Sequence, residues 1–350
     1  MYRIRHGSKG RKNSGRSKVH RLFCIILAMV IPLGGQEFTV LFTSSLNGNL
    51  DGCNCRQNPK SGLVKRGYFL SEYRKKNRNF ILLESGDVSA IETVYLKETV
   101  TVGGTVMERP IKEPYIFQAY RYLKYDAIAM GDQDIGKGVD YFLSEAATLP
   151  YVNANVKLKT ANGTTAFGAP YIMKNVGGVH IAVIGITAET AFRYQKQNIK
   201  DAVVLSAAAE SAAAFAKEAR AKGEKAVILL SHAGYDFDVA LAKRRVGIDL
   251  IVSGHDQYLP VKDPDESPER EVIDMSAVDI GGVYVLSSGG NGNRVGIAAF
   301  TAGANIVMKK FSLEYIDYTT SRDDATIRAW ASEEMQREMK AFEKRRLDIK

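Results

Sequence analysis

The hydrophobic pattern of this sequence alternates between two kinds of segment. Short runs rich in β-branched and aromatic residues, many of them ending in polar or glycine-containing loops, recur between stretches with a helical period. The runs predict strands at Phe38–Thr43, Phe80–Glu84, Ala127–Met130, Tyr151–Asn155, Tyr171–Asn175, Val179–Ile186, Ala226–Leu230, Leu250–Val252, Val283–Leu286 and Val295–Phe300. Strands that alternate with helices are typical of a layered α/β fold.

The helical segments between and after these strands are amphipathic. The predicted helices are Gly62–Lys76, Ala207–Lys222, Phe237–Arg245 and a charged terminal helix, Thr319–Leu347. The first has apolar residues on one side and lysines and arginines on the other, so we expect Arg66 on a solvated helix face. A polar stretch with two prolines, Lys262–Glu271, predicts a surface loop.

The positive charge of the chain is concentrated at its N-terminus. The formal net charge is +9, but eight of the 48 basic residues precede residue 22, and the first acidic residue is Glu37. The remainder has 40 basic and 39 acidic residues, a net charge of +1, which removes the electrostatic argument for nucleic-acid binding. A hydrophobic content of 45% with 25% charged residues excludes a disordered or coiled-coil chain.

The basic N-terminal stretch is followed by the features of an export signal. An uncharged apolar run, Leu22–Leu33, precedes the small residues Gly34 and Gly35. Its twelve residues are too few to span a bilayer, which takes about 20, but they suit the apolar region of a signal peptide. We expect residues 1–35 to be removed and the mature chain to begin near Gln36, in the periplasm or outside the cell. The alternative is an uncleaved segment that anchors the protein to a membrane.

The mature chain retains two cysteines, Cys53 and Cys55, which flank a single asparagine. In an oxidising compartment, two thiols this close can bind a metal ion or close a small, strained disulfide. The third alternative is that they are incidental residues of a polar loop.

Four residues that commonly bind divalent metals each follow a predicted strand. They are Asp87, Asp132, His232 and His255, and only three histidines occur after residue 35. Ligands collect beyond the carboxyl ends of strands in open α/β sheets, so we expect these side chains to share one site. Carboxylates together with neutral imidazoles suit a divalent Zn, Mn or Fe ion.

The succession of these segments resembles the calcineurin-like metallophosphoesterases. It is most similar to the bacterial secreted 5′-nucleotidase/UDP-sugar hydrolase branch, which includes the thiosulfate-ester hydrolases. The resemblance extends over about Phe38 to Phe311 and includes the segments Tyr125–Gly131, Leu149–Asn155, Tyr171–Thr187, Leu229–Tyr235 and Ile248–His255.

This resemblance implies a layered sandwich of two mixed β-sheets flanked by helices. It implies a metallophosphoesterase-like domain over residues 36–318, followed by a C-terminal amphipathic helix over residues 319–350. It also implies that the family's separate nucleotide-recognition domain is absent, because the chain ends at Lys350.

One of the family's two metal positions is altered in this chain. Ser45 and Asn47 replace the Asp-x-His pair after the first strand, and Gln257 replaces the last histidine of Gly-His-x-His. The resemblance leaves only the bridging Asp87 at this position. Cys53 and Cys55 follow the altered loop and either rebuild a second, softer metal site or form a redox pair.

The other metal position keeps a complete set of candidate ligands. The resemblance implies that Asp87, Asp132 in place of asparagine, His232 and His255 hold one ion, and that catalysis depends on His232 and Asp132. The family's leaving-group acid is replaced by Gln133, which cannot donate a proton in that role. The following glutamate is replaced by Asp134.

Two classes of function remain open from the sequence. The first is an exported hydrolase of phosphoesters, 5′-nucleotidase-like, or of thiosulfate-type esters, with one or two divalent ions in a mononuclear or cysteine-modified centre. The second is a non-catalytic descendant that binds a metal or ligand or senses redox state. We favour the enzyme, with a small-molecule ester as substrate. We expect no nucleic-acid partner and no membrane contact beyond the signal segment, and any protein partner of the terminal helix stays open.

Overall fold

Two six-stranded mixed sheets dominate the computed structural model, which describes residues 35–52, 61–89, 99–108, 111–256, 276–290 and 292–349. The strands of the first sheet are β1 (Gln36–Thr43), β2 (Phe80–Glu84), β5 (Ala127–Ala129), β6 (Tyr151–Val152), β16 (Arg294–Ala302) and β17 (Ile306–Tyr315). Their order across the sheet is β17-β16-β1-β2-β5-β6. Strands β1, β2, β5 and β6 run parallel, whereas β16 pairs antiparallel with both β1 and β17.

The second sheet contains β9 (Tyr171–Val176), β10 (Val179–Thr187), β12 (Ala226–His232), β13 (Leu250–Ser253), β14 (Ala277–Asp279) and β15 (Tyr284–Ser287). Their order is β14-β15-β13-β12-β10-β9. The four inner strands are parallel, and the edge strands β9 and β14 are antiparallel to their neighbours.

Shorter strands form two smaller sheets. One is the hairpin of β3 (Thr99–Val102) and β4 (Thr105–Glu108). The other joins β7 (Val156–Thr160), β8 (Gly163–Thr165) and β11 (Val203–Leu205). The helices are α1 (Gly62–Lys76), α2 (Glu113–Leu123), α3 (Val139–Ala146), α4 (Gln197–Ala202), α5 (Ala208–Ala221), α6 (Tyr235–Lys243) and a 3₁₀ helix at Glu189–Tyr194.

The two large sheets pack face to face, and helices cover their outer faces. Val40 and Phe42 of β1 and Ile228 of β12 enter the core between the sheets. Leu41 faces the opposite side, in the core that includes α1 and α2, and Leu229 enters the core beside α5. Both faces of the parallel strands are therefore buried, which explains their continuous apolar runs. This arrangement confirms the predicted sandwich of two mixed sheets flanked by helices.

The C-terminal helix begins later than its sequence pattern predicts. It runs as α7 (Ala325–Arg328), a π-helical turn at Ala329–Glu334 and α8 (Met335–Asp348). The Asp324 side chain accepts hydrogen bonds from the backbone amides of Thr326 and Ile327, both at 3.0 Å, and so caps the helix start. Within the described ranges, no helix is both long and apolar enough to cross a membrane.

Candidate metal centre

The carboxyl ends of the parallel strands of both sheets meet at one edge of the sandwich. Ser85, which follows β2, accepts a hydrogen bond at its carbonyl oxygen from His232 Nδ1 of β12, at 2.7 Å. Thr187 Oγ1 at the end of β10 donates to the carbonyl oxygen of Met130 after β5, at 2.6 Å. Loops that are far apart in the sequence are thereby joined across the two sheets.

Two glycines make this close approach of the loops sterically feasible. Gly86 has φ of +97°, and a Cβ at this position would lie 2.6 Å from His232 Nδ1. A Cβ on Gly131 would lie only 2.2 Å from the backbone nitrogen of Asp87. Any other residue at either position would push the loops apart.

Four predicted ligands converge at this edge. One ligand atom from each of Asp87, Asp132, His232 and His255 lies within 4.8 Å of all the others. His232 Nε2 is 3.3 Å from Asp87 Oδ2 and 3.2 Å from Asp132 Oδ1, and His255 Nδ1 is 3.4 Å from Asp132 Oδ1. Atoms that bind one ion at about 2.1 Å are ~3.4 Å apart in a tetrahedron, which agrees with these three distances.

The orientation of His232 follows from its fully buried surroundings. The carbonyl oxygen of Ser85 can only accept a hydrogen bond, so Nδ1 of His232 carries a proton. Nε2 then faces Asp87 and Asp132. A backbone carbonyl that fixes the tautomer in this way is common behind metal-binding histidines.

The charges of the cluster are unbalanced without a cation. Burial disfavours protonated His232, but the negative charges of Asp87 and Asp132 outweigh it and hold the pKa of His232 well above its ordinary value. Burial likewise disfavours ionised Asp132, but the hydrogen bond from His232 and its positive charge bring the pKa of Asp132 below the usual range. Two buried carboxylates thus share the positive charge of one imidazole, that of His232.

His255 contributes a ring nitrogen to the place where the ligand atoms of Asp87, Asp132 and His232 converge. Its φ of +78° is unusual for a residue with a side chain, and it turns the imidazole of His255 edge-on to that of His232, with 5.2 Å between ring centroids. Nδ1 of His255 is buried and has no well-aligned hydrogen bond to any described residue. A buried imidazole nitrogen beside a carboxylate, with two further ligands close by, fits a divalent metal ion.

Asp87 is held on its other side by Gln133. The backbone nitrogen of Gln133 donates to Asp87 Oδ1 at 3.0 Å, and its side-chain Nε2 donates to Asp87 Oδ2 at 2.9 Å. Both carboxylate oxygens therefore accept from one residue. Gln133, which stands where the resemblance places the family's acid, therefore restrains a predicted ligand.

Two further polar residues support the cluster: Gln195, which no sequence signal marks, and Asp134, which the resemblance places in the same motif as Asp132. Gln195 Nε2 donates to Asp132 Oδ2 at 2.7 Å. Asp134 is buried and accepts from the backbone nitrogens of Gly131 and Ser89, at 2.8 and 3.0 Å. Burial, together with the nearby charge of Asp87, raises the pKa of Asp134 to about 8.

The loop after β1 runs alongside the Asp87 loop. The backbone nitrogens of Ser45 and Asn47 donate to the carbonyl oxygens of Gly86 and Asp87, at 3.0 and 2.9 Å. Ser45 and Asn47 thus lie next to the chain that carries Asp87. Cys53, Cys55, Gln257 and the predicted loop Lys262–Glu271 lie outside the described residues.

The expectation that Arg66 faces solvent is wrong. Arg66 is 0% exposed, and its Nη1 contacts Glu84 Oε2 at 3.2 Å and the Tyr120 and Tyr125 hydroxyls at 3.3 Å. Tyr120 and Thr43 also donate to Glu84 Oε2, at 2.6 and 2.8 Å. A carboxylate at the end of β2 draws the guanidinium inward, which the periodicity of α1 does not reveal.

Known proteins resemble this chain in both sequence and fold. A snake venom 5′-nucleotidase of Crotalus adamanteus is 26% identical over 255 residues, which are 67% of this chain and 39% of that protein. The 5′-nucleotidase precursor from Thermus thermophilus superposes with a TM-score of 0.69 at 22% identity, over 87% of this chain and 59% of the other. The calcineurin-like phosphoesterase YfkN from Bacillus subtilis superposes with a TM-score of 0.66 at 21% identity, over 88% of this chain and 99% of the other.

The extent of these matches is partial. The chain spans about two fifths of the length of the snake venom 5′-nucleotidases it matches. No family model matches the sequence. The homologues and structural neighbours nevertheless agree with each other and with the two-sheet architecture. By sequence the chain is similar to 5′-nucleotidases, and its fold is similar to those of a 5′-nucleotidase and of a calcineurin-like phosphoesterase.

Proposed function

We propose that this protein is a metal-dependent hydrolase of phosphoesters, 5′-nucleotidase-like, whose active centre holds a divalent ion between Asp87, Asp132, His232 and His255. The observation that carries the proposal is the convergence of one ligand atom from each residue within 4.8 Å, at the joined carboxyl ends of the two sheets. The 5′-nucleotidases and phosphoesterases among the similar proteins support the reaction class.

The ion would supply Lewis acidity toward a phosphoryl oxygen and lower the pKa of bound water. The chain's own residues hold the ligands in place. Ser85 fixes the tautomer of His232, and Gln133 restrains Asp87. Burial of Asp87, Asp132 and His232 keeps bulk water away from the charges.

The same geometry predicts a preference for reactive esters. Gln133 donates its amide hydrogen to Asp87 and has no proton that it can transfer to a leaving group. Loss of a general acid typically costs ~10²–10⁴-fold in rate. We therefore expect substrates whose leaving group departs without protonation to be hydrolysed fastest.

Metal content and hydrolysis of the purified protein test the proposal together. The protein, kept reduced, would be analysed for bound metal by mass spectrometry and assayed with p-nitrophenyl phosphate, bis(p-nitrophenyl) phosphate and AMP. One or two ions per chain with metal-dependent hydrolysis would support the proposal. Two ions that fall to one in a Cys53→Ser/Cys55→Ser double variant would assign the second ion to the cysteines. The absence of bound metal after reconstitution with Zn²⁺, Mn²⁺ or Fe²⁺ would refute it.

A second candidate function is metal or ligand binding without turnover. The contact of Gln133 with Asp87 favours it, because an amide stands where the family places its acid. Stoichiometric metal binding without hydrolysis of any of the three esters would support this candidate over the enzyme.

We further infer that the protein is exported and that residues 1–35 are its signal, followed by a domain over residues 36–318 and a terminal helix over residues 319–350. The basic stretch and the apolar run Leu22–Leu33 support export. The terminal helix packs on α1, since the backbone nitrogen of Asp324 donates to Val64 at 2.8 Å. N-terminal sequencing of the protein from the periplasmic fraction should give Gln36, and an intact N-terminus in the membrane fraction would show an anchor.

A further inference from the structure

Gln195 contacts the metal cluster although it is neither a predicted ligand nor close to one in the sequence. Its Nε2 donates to Asp132 Oδ2 at 2.7 Å, across 63 residues of chain. The other oxygen, Asp132 Oδ1, faces Nε2 of His232 and Nδ1 of His255. The hydrogen bond therefore determines which oxygen of Asp132 faces the two imidazoles.

The segment Ala188–Gln195 is bonded to the cluster at its start through the backbone of Ala188 and at its end through the side chain of Gln195. At its start, the backbone nitrogen of Ala188 donates to the carbonyl oxygen of His232 at 3.2 Å. The 3₁₀ helix Glu189–Tyr194 follows, and at its end the backbone nitrogen of Gln195 donates to Phe192 at 3.0 Å. Six helical residues thus connect one predicted ligand to the hydrogen-bond partner of another. Such a short, bonded segment holds the backbone of Gln195 at a fixed place beside Asp132.

We propose that Gln195 is a positioning residue of the metal centre, whose amide holds Asp132 so that only Oδ1 is offered to the ion. An aspartate with both oxygens free can rotate and bind an ion through either one or through both. Restraining one oxygen removes those alternatives before the ion arrives. The inference rests on the proposed metal centre, and it adds a residue outside the ligand set.

The chain contains a matched control for this residue. Gln197 lies two positions further on, and its Nε2 donates to Asp201 Oδ1 at 2.8 Å on an exposed surface of α4. Gln195→Met and Gln197→Met therefore each remove one amide-to-carboxylate hydrogen bond with little change in side-chain volume. Only the first of these bonds involves a predicted ligand.

The test compares the two variants with the unchanged full chain in three measurements. These are the Mn²⁺ dissociation constant, the thermal unfolding of the metal-free protein and the ¹⁵N shift of His232 Nε2 without metal. Loss of a partner that orients a ligand typically weakens metal binding by ~10–100-fold. We expect a loss of this size and a shifted His232 signal in Gln195→Met, with neither change in Gln197→Met.

Equal Mn²⁺ affinities and equal His232 shifts in the two variants would overturn the proposal. If the unchanged chain binds no metal, the proposed metal centre fails, and the His232 shift alone then decides whether Gln195 positions Asp132. Should Gln195→Met not fold, Gln195→Asn replaces it, because its shorter side chain keeps an amide that cannot reach Asp132 at the same distance.

Discussion

Two clusters of buried charge lie side by side at the end of β2, and they differ in charge balance. Glu84, the last residue of β2, pairs with Arg66 and accepts from the Tyr120 and Thr43 hydroxyls, so one positive charge meets one negative charge. Three residues later, Asp87 begins the cluster in which Asp132 adds a second carboxylate around His232. Burial is nearly the same in the two clusters, and only the second has more carboxylates than a single imidazolium neutralises.

This difference separates a structural ion pair from a candidate ion site. A buried pair whose charges cancel requires no bound ion. Removing one partner lowers stability, because the other charge is then buried without a counter-charge. A buried set in which two carboxylates outnumber one imidazolium is stabilised by a divalent cation, to which the imidazole can bind once it has lost its proton. Mutation of the two clusters should therefore have different effects. Changes in the Arg66–Glu84 cluster should lower stability, and changes in the Asp87 cluster should weaken metal binding.

The largest expected effect is on metal binding in His232→Ala. This change removes the nitrogen that lies between both carboxylates and leaves them facing each other across a cavity. We expect metal affinity to fall by more than the ~10–100-fold typical of lost outer partners, and hydrolysis to fall with it. Calorimetric titration with Mn²⁺ measures the change. His180→Ala, at an exposed position of β10, serves as control, and equal affinity in the two variants would contradict the assignment.

The second expected effect is on stability in Arg66→Met. The variant leaves Glu84 buried without its positive partner, which typically costs about 3–5 kcal/mol. Urea unfolding should show this loss, while metal bound per folded chain stays unchanged. Lys75→Met is the control on the same helix, because Lys75 forms an exposed pair with Glu72. A loss of metal in Arg66→Met at full folding would mean that the two clusters are coupled.

Local pattern predicts the layered α/β fold and the four candidate ligands, and the family resemblance adds the sandwich of two mixed sheets. The boundaries of α1 and β2 match the prediction, and each predicted ligand directly follows a predicted strand. The strand Ile306–Tyr315 escapes prediction because it is an edge strand in which most side chains are exposed or half-buried, including Lys309 and Lys310. Its apolar residues therefore do not stand out from the polar ones.

Arg66 and Gln195 show what a single sequence leaves undetermined. An arginine near the start of a basic helix has the same pattern whether it faces water or a buried glutamate. Gln195 reaches Asp132 only because the short helix before it turns back toward the cluster. Both positions depend on partners supplied by distant segments of the chain, and no spacing in the chain encodes those contacts.

The third expected effect is pH-dependent and concerns Asp238 beneath the cluster. Asp238 is fully buried on α6, near the Ser231 and Ser253 hydroxyls, and burial raises its pKa to about 7. A carboxyl with a raised folded pKa favours folding when protonated, so this contribution is lost as the pH rises from the unfolded pKa near ~4 to the folded pKa of about 7. Asp238→Asn should thus be more stable than the unchanged protein at pH 8.5, by roughly 2–4 kcal/mol, and gain little at about pH 4, near the unfolded pKa. Urea unfolding at both pH values measures the difference, with exposed Asp236→Asn as control. An equal gain at both pH values would exclude titration of Asp238 as the cause.

The smallest expected effect is on metal affinity in Asp132→Asn. This change tests directly whether the charge balance of the cluster matters. Asp87 and Asp132 together carry two negative charges, which neutralise a bound divalent ion. The asparagine keeps an oxygen toward His232 but leaves the centre with one net positive charge. We expect metal affinity to fall roughly tenfold, or about 1.4 kcal/mol, because the ion loses its attraction to one negatively charged carboxylate.

The KM for a phosphomonoester dianion should fall at saturating metal, because the centre then attracts the anion more strongly. Steady-state kinetics at saturating Mn²⁺ separates the two effects. If KM does not fall although metal binding weakens, Asp132 affects metal binding through ligand geometry. The net charge of the centre then has no part in substrate binding.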